Sequence, residues 1–361
     1  MNTNNIGYVY AILAALLFGA STPLAKITLN NVDPWMLAGI LYFGSGITIL
    51  LIRSLNTYFS KNTLIASEAS LTKSDWPWAA GATLFGGILG PGLLMSGLSL
   101  TTASHASLFL NFEGVFTSLL AWFVFKEHFD RRIALGMLFI IFGGITLSWP
   151  ANSLITLNNI EGPLLISLAS LSWAIDNNLT RKISACDPLQ ITILKSLVAG
   201  SCNIIISYFF YHSPLPGISS LAMATIIGAA GYGLSLICFI LALRHIGTSR
   251  TGAYFSMAPF IGVVLSIIIL SDSISLQFLI ATALMLVGVG IHLSERHVHS
   301  HVHEEIEHDH NHDHLDPHHS HSHSNSSVKA PPEESHSHFH RHQPLAHSHP
   351  HYPDIHHRHK H

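Results

Sequence analysis

The end of the chain is crowded with histidines at a spacing that suits metal ions. Residues 294–361 hold 23 of the 28 histidines of this 361-residue chain, many of them in His-x-His repeats interleaved with Asp and Glu. In an extended chain this spacing places two imidazoles on the same side, and neutral imidazole binds zinc, nickel, cobalt and copper. The scarcity of aliphatic residues predicts a disordered tail with many overlapping weak sites and no fixed cage. The histidines that we predict to bind metal are His297, His299, His301, His303, His308, His310, His312, His314, His318, His319, His321 and His323.

A second set of reactive residues lies inside apolar sequence. Glu113 is the deepest acid, and its carboxyl is able to exchange a proton or to contact a cationic group of a solute. The alternative is a protonated carboxyl in an interhelical hydrogen bond. Asp176 and Lys195 fall at similar depth on consecutive apolar stretches and predict an ion pair, either structural or gating. The polar and aromatic residues that accompany them are Asn111, Trp173 and Asn177.

The stretches that carry these residues are long enough to cross a membrane. Only 10% of the residues are charged and 48% are hydrophobic, and a span of the hydrocarbon core needs about 20 apolar residues. Helices are expected because a backbone in lipid must satisfy its own hydrogen bonds. The chain therefore predicts an all-α integral membrane protein. The ten predicted spans are residues 7–29, 35–53, 76–98, 103–125, 132–149, 161–181, 188–211, 218–243, 248–270 and 274–293.

Positive charges predict the orientation of these spans. With the N-terminus inside, nearly all Lys and Arg of the connections fall on the cytoplasmic side, and Lys26 falls on the opposite side. Such a bias is typical of cytoplasmic loops. An even number of spans then returns the C-terminus to the inside. We expect a multi-pass protein of the cytoplasmic membrane with both termini cytoplasmic.

The chain also repeats itself. Residues 14–26 parallel residues 169–181, and an Asp-Pro pair follows each segment, at positions 33–34 and 187–188. The predicted repeats are residues 7–149 and 161–293, with the tail at 294–361. Because each repeat has five helices, an odd number, the second copy enters the membrane from the other side. Inverted repeats of this kind are common in secondary transporters.

Glycine-rich helices occupy matching positions of the two repeats. The third span contains Gly86, Gly87 and Gly90, and the eighth contains Gly228 and Gly231. Matched discontinuous helices mark the substrate site of many carriers. The alternative is that the small residues only allow helices to pack closely.

Several segments resemble EamA-type members of the drug/metabolite transporter superfamily. They are an Ala-Pro in the ninth span (Ala258 and Pro259), an acid closing the fourth (Glu127), and the small-residue segment Phe18-Gly19-Ala20-Ser21-Thr22-Pro23-Leu24-Ala25-Lys26. The resemblance covers residues 7–293. It implies a carrier of small metabolites or drug-like solutes without naming the cargo. One position departs from the internal match, since Glu113-Gly114 stands where the ninth span has Ala-Pro.

These features predict a secondary transporter, or permease, for a small metabolite or drug-like solute, with a cytoplasmic metal-binding tail. The chain has no GxxxxGK[ST] loop for nucleotide phosphates and no HExxH or GxSxG motif, so neither a pump nor an enzyme is expected. No cofactor is required, and nothing indicates nucleic-acid binding. The expected partners are the bilayer, a solute and transition metal ions, and the small-residue helices permit a homodimer. Two alternatives remain, an exporter of divalent transition metal ions or their complexes regulated by the tail, and a membrane-anchored metal sensor or store.

Overall fold

The computed structural model describes residues 3–59, 70–124, 131–149, 157–183, 186–293, 298–302, 306–312, 336–342 and 346–350. Up to residue 293, every regular element in these ranges is helical, as the sequence predicted. The α-helices of the first half are α1 (Thr3–Thr28), α2 (Pro34–Phe59), α3 (Trp76–Ala82), α4 (Gly90–Leu100), α5 (Ala103–Phe109), α6 (Phe112–Phe123) and α7 (Arg131–Ser148). Those of the second half are α8 (Leu157–Lys182), α9 (Pro188–Phe210), α10 (Ile218–Ile227), α11 (Ser235–Phe255), α12 (Ala258–Leu270) and α13 (Leu276–Leu293).

A π-helix of seven residues lies inside the third predicted span of the first half, and another lies inside its counterpart, the eighth span. π1 (Thr83–Leu89) joins α3 to α4, and π2 (Gly228–Leu234) joins α10 to α11. Two further pairs of matched helices have equal lengths, since α1 and α8 both have 26 residues and α7 and α13 both have 18. The two halves therefore share these matched elements, although α11 covers in one helix the segment that forms α4 and α5 in the first half.

The contacts of α2 and α9 show that the second copy is inverted. Asp33 caps the start of α2 and accepts a hydrogen bond from Ser207, near the end of α9, at 2.8 Å. Asp187 caps the start of α9 and pairs with Arg53 of α2 at 3.0 Å. Each helix thus begins beside the end of the other. Following the predicted orientation, we call the Asp33 side the outer end of the bundle and the Asp187 side the inner end.

The two halves interlock around α1 and α8. α1 packs along α11 and α12 of the second half, and α8 packs along α4 and α6 of the first half. The same symmetry pairs α2 with α9 and α7 with α13. The large apolar side chains that are fully buried, such as Leu37, Leu41, Met95 and Ile166, lie between these layers. The core therefore lies where the halves meet.

Six helices in the described ranges are long and apolar enough to cross a membrane. They are Ile6–Thr28, Pro34–Leu55, Trp76–Leu100, Arg131–Ser148, Leu189–Phe210 and Ile218–Ala242. Two shorter apolar helices, Ala258–Leu270 and Leu276–Ile291, accompany them. α8, which carries Asp176 and Asn177, is not among the six. The total of ten spans stays a prediction.

The boundary predicted between the eighth and ninth spans, at residues 244–247, lies inside α11. Contacts with α1 nevertheless show that the chain changes direction between Ala242 and Ala258, so α11 does not run straight throughout. Ser235 donates to the carbonyl oxygen of Ala14 at 2.9 Å, and Ala242 packs in one cluster with Ala11. A Cβ atom added to Gly19 would lie 2.5 Å from the carbonyl oxygen of Ala258. The chain therefore first runs toward the N-terminus of α1 and then returns.

Four short strands occur in the histidine-rich tail. β1 (Val298–Val302) pairs antiparallel with β4 (Ala346–Pro350), and β2 (Ile306–His312) pairs antiparallel with β3 (His336–His342). The sequence did not predict these strands. Disorder of the tail as a whole stays a prediction, since most of its residues lie outside the described ranges.

Candidate substrate site

The π1 segment presents two backbone carbonyls to neighbouring helices. Tyr42 and Trp173 both donate to the carbonyl oxygen of Gly86, at 2.9 and 3.0 Å, and Asn203 donates to that of Gly87 at 3.1 Å. A π-turn changes the regular i→i+4 pattern and is often found at functional sites. The glycine-rich third span is therefore not broken. The helix is instead widened at Gly86 and Gly87, where the side chains of Tyr42, Trp173 and Asn203 converge.

Gly86 allows the charged face of α8 to approach this segment. A Cβ atom at Gly86 would lie 1.9 Å from Oδ2 of Asp176, and one at Gly90 would lie 2.7 Å from Nε1 of Trp173. Distances of this kind leave no room for a larger residue at either position. In the second half, a Cβ atom at Gly231 would lie 2.6 Å from Cβ of Ser21. The small residues thus serve packing and also bring a carboxylate against π1.

We expect Gly86→Ala to destabilise the protein because the added methyl meets a carboxylate that is already held by other side chains. Overpacking of this kind costs about 1–3 kcal/mol, and thermal unfolding of the purified protein in detergent measures it. Gly114→Ala in α6 is the matched control, since a Cβ atom there meets nothing within 4 Å. Equal unfolding temperatures for the two variants would contradict the close packing of Gly86 against Asp176.

Asp176 and Lys195 form the ion pair that their depth in the sequence predicted. Lys195 of α9 donates to Oδ2 of Asp176, and the two side chains are 14% and 8% exposed. Thr180, one turn further along α8, donates to Oδ1 of the same carboxylate at 2.9 Å. Both carboxylate oxygens therefore have partners, as a buried charge requires.

Glu113 lies at the start of a half-helix and contacts α8. The fourth span, predicted as one helix, is interrupted at Leu110 and Asn111, so Glu113 falls in the first turn of α6. Asn177 donates to Oε1 of Glu113 at 2.7 Å. The side chain of Asn177 is exposed and that of Glu113 is half-buried. Asp176, which precedes Asn177 on α8, is buried instead. The start of a helix favours a negative charge and leaves backbone N–H groups unpaired.

The ninth span is interrupted at the corresponding place, at Ser256 and Met257, just before Ala258 and Pro259. The matched breaks of the fourth and ninth spans were not predicted. The signal for the ninth was the Ala-Pro pair, because proline is favoured at the first turn of a helix. The fourth has no such marker.

Aromatic rings connect the two π-helices. The ring of Phe18 in α1 lies 6.0 Å from that of Trp173 and 5.9 Å from that of Tyr232 in π2. The ring of Tyr232 in turn lies 5.3 Å from that of Tyr42. Trp173 was predicted as a site residue from the sequence, whereas Phe18, Tyr42 and Tyr232 were not. Phe18 was detectable, since it aligns with Trp173 in the internal repeat.

Two polar residues, the predicted Asn111 and also Ser21, make hydrogen bonds within their own segments. Asn111 is buried and donates to the carbonyl oxygen of Leu108 at 2.9 Å, within the break itself. Ser21 donates to the carbonyl oxygen of Phe18 at 2.6 Å and thus bonds back to its own helix. The structure thus brings together Glu113, Asn177 and the ion pair, and uses Asn111 to shape the helix break.

The predicted metal ligands are divided between described and undescribed parts of the tail. His299 and His301 lie on β1, and His308, His310 and His312 lie on β2. The others lie outside the described residues: His297, His303, His314, His318, His319, His321 and His323.

Comparison with known proteins gives two matches to the EamA-like transporter family, over residues 5–149 and 160–294. An uncharacterized transporter from Methanothermobacter thermautotrophicus is 31% identical over 281 residues, which cover 75% of this chain and 81% of the relative. The uncharacterized transporter YyaM from Bacillus subtilis is 24% identical over 272 residues, covering 72% and 84%. One solved crystal structure has a TM-score of 0.55 at 18% identity and covers 81% of this chain and 95% of its own, which supports the fold alone.

Proposed function

Because the chain belongs to the EamA-like transporter family, we propose that it is a secondary carrier exchanging a small organic solute with a cationic group against protons at Glu113. The observation that carries this proposal is the position of Glu113. It lies in the first turn of a half-helix, hydrogen-bonded to Asn177 on the central helix of the other repeat. Half-helix ends at the interface of two repeats are the usual place for substrate and coupling ions in such carriers.

The charges of the site favour a cationic partner for Glu113. Lys195 compensates Asp176, whereas the side chain that donates to Glu113 is the neutral amide of Asn177. An ionised Glu113 therefore leaves one negative charge for a proton or an ammonium group to balance. Since one carboxylate holds only one of these at a time, binding of the solute releases the proton. That competition couples the two movements.

The site residues favour an organic solute over a metal ion. In the described part of the helical bundle, no three His, Cys, Asp or Glu side chains lie close enough together to hold a metal ion. A transport pathway for transition metals needs several such ligands at each binding position, since these ions take four or more donor atoms. Trp173 lies one turn before Asn177 on α8, and an aromatic ring is better suited to contact an organic cation than to bind a metal ion.

The test is solute-driven proton movement by the full chain in proteoliposomes that contain a pH-sensitive dye. We expect at least one amine-bearing solute from a panel of amines, zwitterions and organic anions to drive protons across the membrane. Zinc, nickel and cobalt are tested in the same assay. If only the metal ions drive proton movement, metal transport is the function and the proposal fails.

We propose that the carrier lies in the cytoplasmic membrane with both termini inside, which the excess of Lys and Arg in the predicted cytoplasmic connections supports. The tail is then cytoplasmic. We assign to the tail the reversible binding of transition metal ions. The strand register supports this assignment, because each described histidine of β1 and β2 stands opposite another histidine: His299 with His349, His301 with His347, His308 with His340, His310 with His338, and His312 with His336. Residues directly opposite in an antiparallel pair are near neighbours.

We expect the full chain to bind several equivalents of zinc in a calorimetric titration and a chain ending at Ser294 to lose most of them. Solute-driven proton movement is expected to persist in the shortened chain, because Glu113 and the ion pair lie in the helical bundle. Zinc binding that is equal in both chains would exclude the tail as the binding segment. Loss of transport together with the tail would indicate that the tail takes part in the transport cycle.

A further inference from the structure

The outer corner between α4 and α5 is held by one charged residue from each half. Lys26, in the last turn of α1, donates to the carbonyl oxygens of Leu98 and Thr101 at 2.6 and 2.8 Å. These carbonyls lie at the C-terminal end of α4. The last carbonyl groups of a helix have no N–H partner within the helix, and the helix dipole there favours a cation. Lys26 thus ties α1 to the end of α4.

Asp272 holds the other side of the same corner. It follows α12 in the second half, and its Oδ2 accepts from the backbone N–H of Ser104, in the first turn of α5, at 2.9 Å. An anion at this position satisfies a free N–H group and opposes the positive end of the helix. Asp272 therefore ties the second half to the start of α5.

Thr102 makes the corner itself rigid. Its hydroxyl caps α5 by accepting from the backbone N–H of His105 at 3.3 Å and lies 2.6 Å from Nδ1 of the same histidine. The ring of His105 therefore has a hydrogen-bond partner in Thr102. Lys26, Asp272, Thr102 and His105 line one cavity of about 580 Å³ at the outer end.

α5 connects this corner to the proposed coupling residue. It has seven residues and leads directly to the break that precedes Glu113. Below the cavity, α5 packs on α12, where a Cβ atom at Gly262 would lie 2.6 Å from Oγ of Ser107. Ser107 is 1% exposed. A movement of α5 away from α12 would therefore open a path from the cavity toward Glu113.

We infer that Lys26 and Asp272 are positioning residues that hold the outer mouth of the carrier closed by fixing the α4–α5 corner to both halves. Their release lets α5 move and exposes the path to Glu113. The inference uses the proposed role of Glu113 only for the end of that path. Closure of the mouth itself is a separate property. The corresponding acid of the other half, Glu127, lies outside the described residues.

The experiment measures access to Ser107 from outside in the full chain. Ser107→Cys is nearly isosteric, and its labelling by a membrane-impermeant maleimide is measured in right-side-out vesicles against the parent chain with its three native cysteines. We expect slow labelling in the otherwise unchanged chain. Asp272→Asn or Lys26→Met is expected to raise the rate roughly threefold to thirtyfold, the range for loss of one capping contact.

Asp33→Asn is the matched control, since Asp33 caps α2 at the same end but contacts Ser207 on α9, away from the corner. It is expected to lower stability without changing the labelling rate. Asn30→Cys, on the rim of the cavity, reports whether the reagent reaches this end of the bundle. If Asn30→Cys is labelled only when the reagent is applied to the opposite face of the membrane, the labelling of Ser107→Cys is measured from that face as well.

Unchanged labelling of Ser107→Cys in folded Asp272→Asn and Lys26→Met would overturn the inference. An equal increase in Asp33→Asn would do the same, because it would show general loosening of the bundle. No solute is needed for this measurement. A failure of the proposed proton exchange at Glu113 is therefore distinguishable from a failure of the closed mouth.

Discussion

Glu113→Gln is expected to abolish solute-driven proton movement. Glutamine keeps the size of the side chain and still accepts a hydrogen bond from Asn177, but it neither carries a charge nor releases a proton. We expect the initial rate in proteoliposomes to fall by about 100-fold or more, the lower range for loss of an essential proton-transferring group. The thermal unfolding temperature is expected to remain close to that of the unchanged protein, because the hydrogen bond is retained.

Glu161→Gln is the control for this prediction. Glu161 belongs to α8, as Asn177 does, but its side chain is exposed near the opposite end of that helix. Removing its charge is expected to leave transport unchanged. Transport by Glu113→Gln at the normal rate and with the normal proton stoichiometry would show that coupling resides elsewhere.

The repeat and the helical class were predictable from the sequence because they depend on composition summed over long segments. A run of apolar residues, or a second Asp-Pro pair at the matching place, remains visible in the absence of tertiary contacts. The interlocking of α1 with the second half and of α8 with the first was not predictable, since it depends on which small residues meet. The contact between Gly86 and Asp176 is such a case.

The local geometry at Glu113 shows a second limit. The sequence from Phe109 to Phe112 contains neither glycine nor proline, so nothing in it marks the end of α5. The break becomes visible only when Asn111 bonds to the carbonyl oxygen of Leu108 and α6 begins anew. The predicted depth in the membrane made Glu113 a candidate in the sequence, but its position at the start of a half-helix required the structure.

The ion pair of Asp176 and Lys195 is expected to be structural, and single and double variants test this. Asp176→Asn alone leaves an uncompensated ammonium in a site where the lysine side chain is 14% exposed. Lys195→Met alone leaves the carboxylate. Breaking a buried pair from one side costs about 3–5 kcal/mol, so each single variant should unfold at a much lower temperature. Arg53→Met is the control, because Arg53 is 41% exposed and the Asp187 carboxylate that it leaves keeps its hydrogen bonds from the backbone N–H groups of Leu189 and Gln190. We expect a smaller loss of stability in this variant.

The double variant Asp176→Asn with Lys195→Met distinguishes a structural pair from a gating pair. Removing both charges leaves no buried ion without a partner, and replacing a buried pair with uncharged residues is often neutral for stability. We therefore expect the double variant to regain most of the unfolding temperature and to retain solute-driven proton movement, since Glu113 and Asn177 are unchanged. A double variant that folds normally but does not transport would give the pair a part in the transport cycle. The charge at Glu113 would then be insufficient to couple solute and proton by itself.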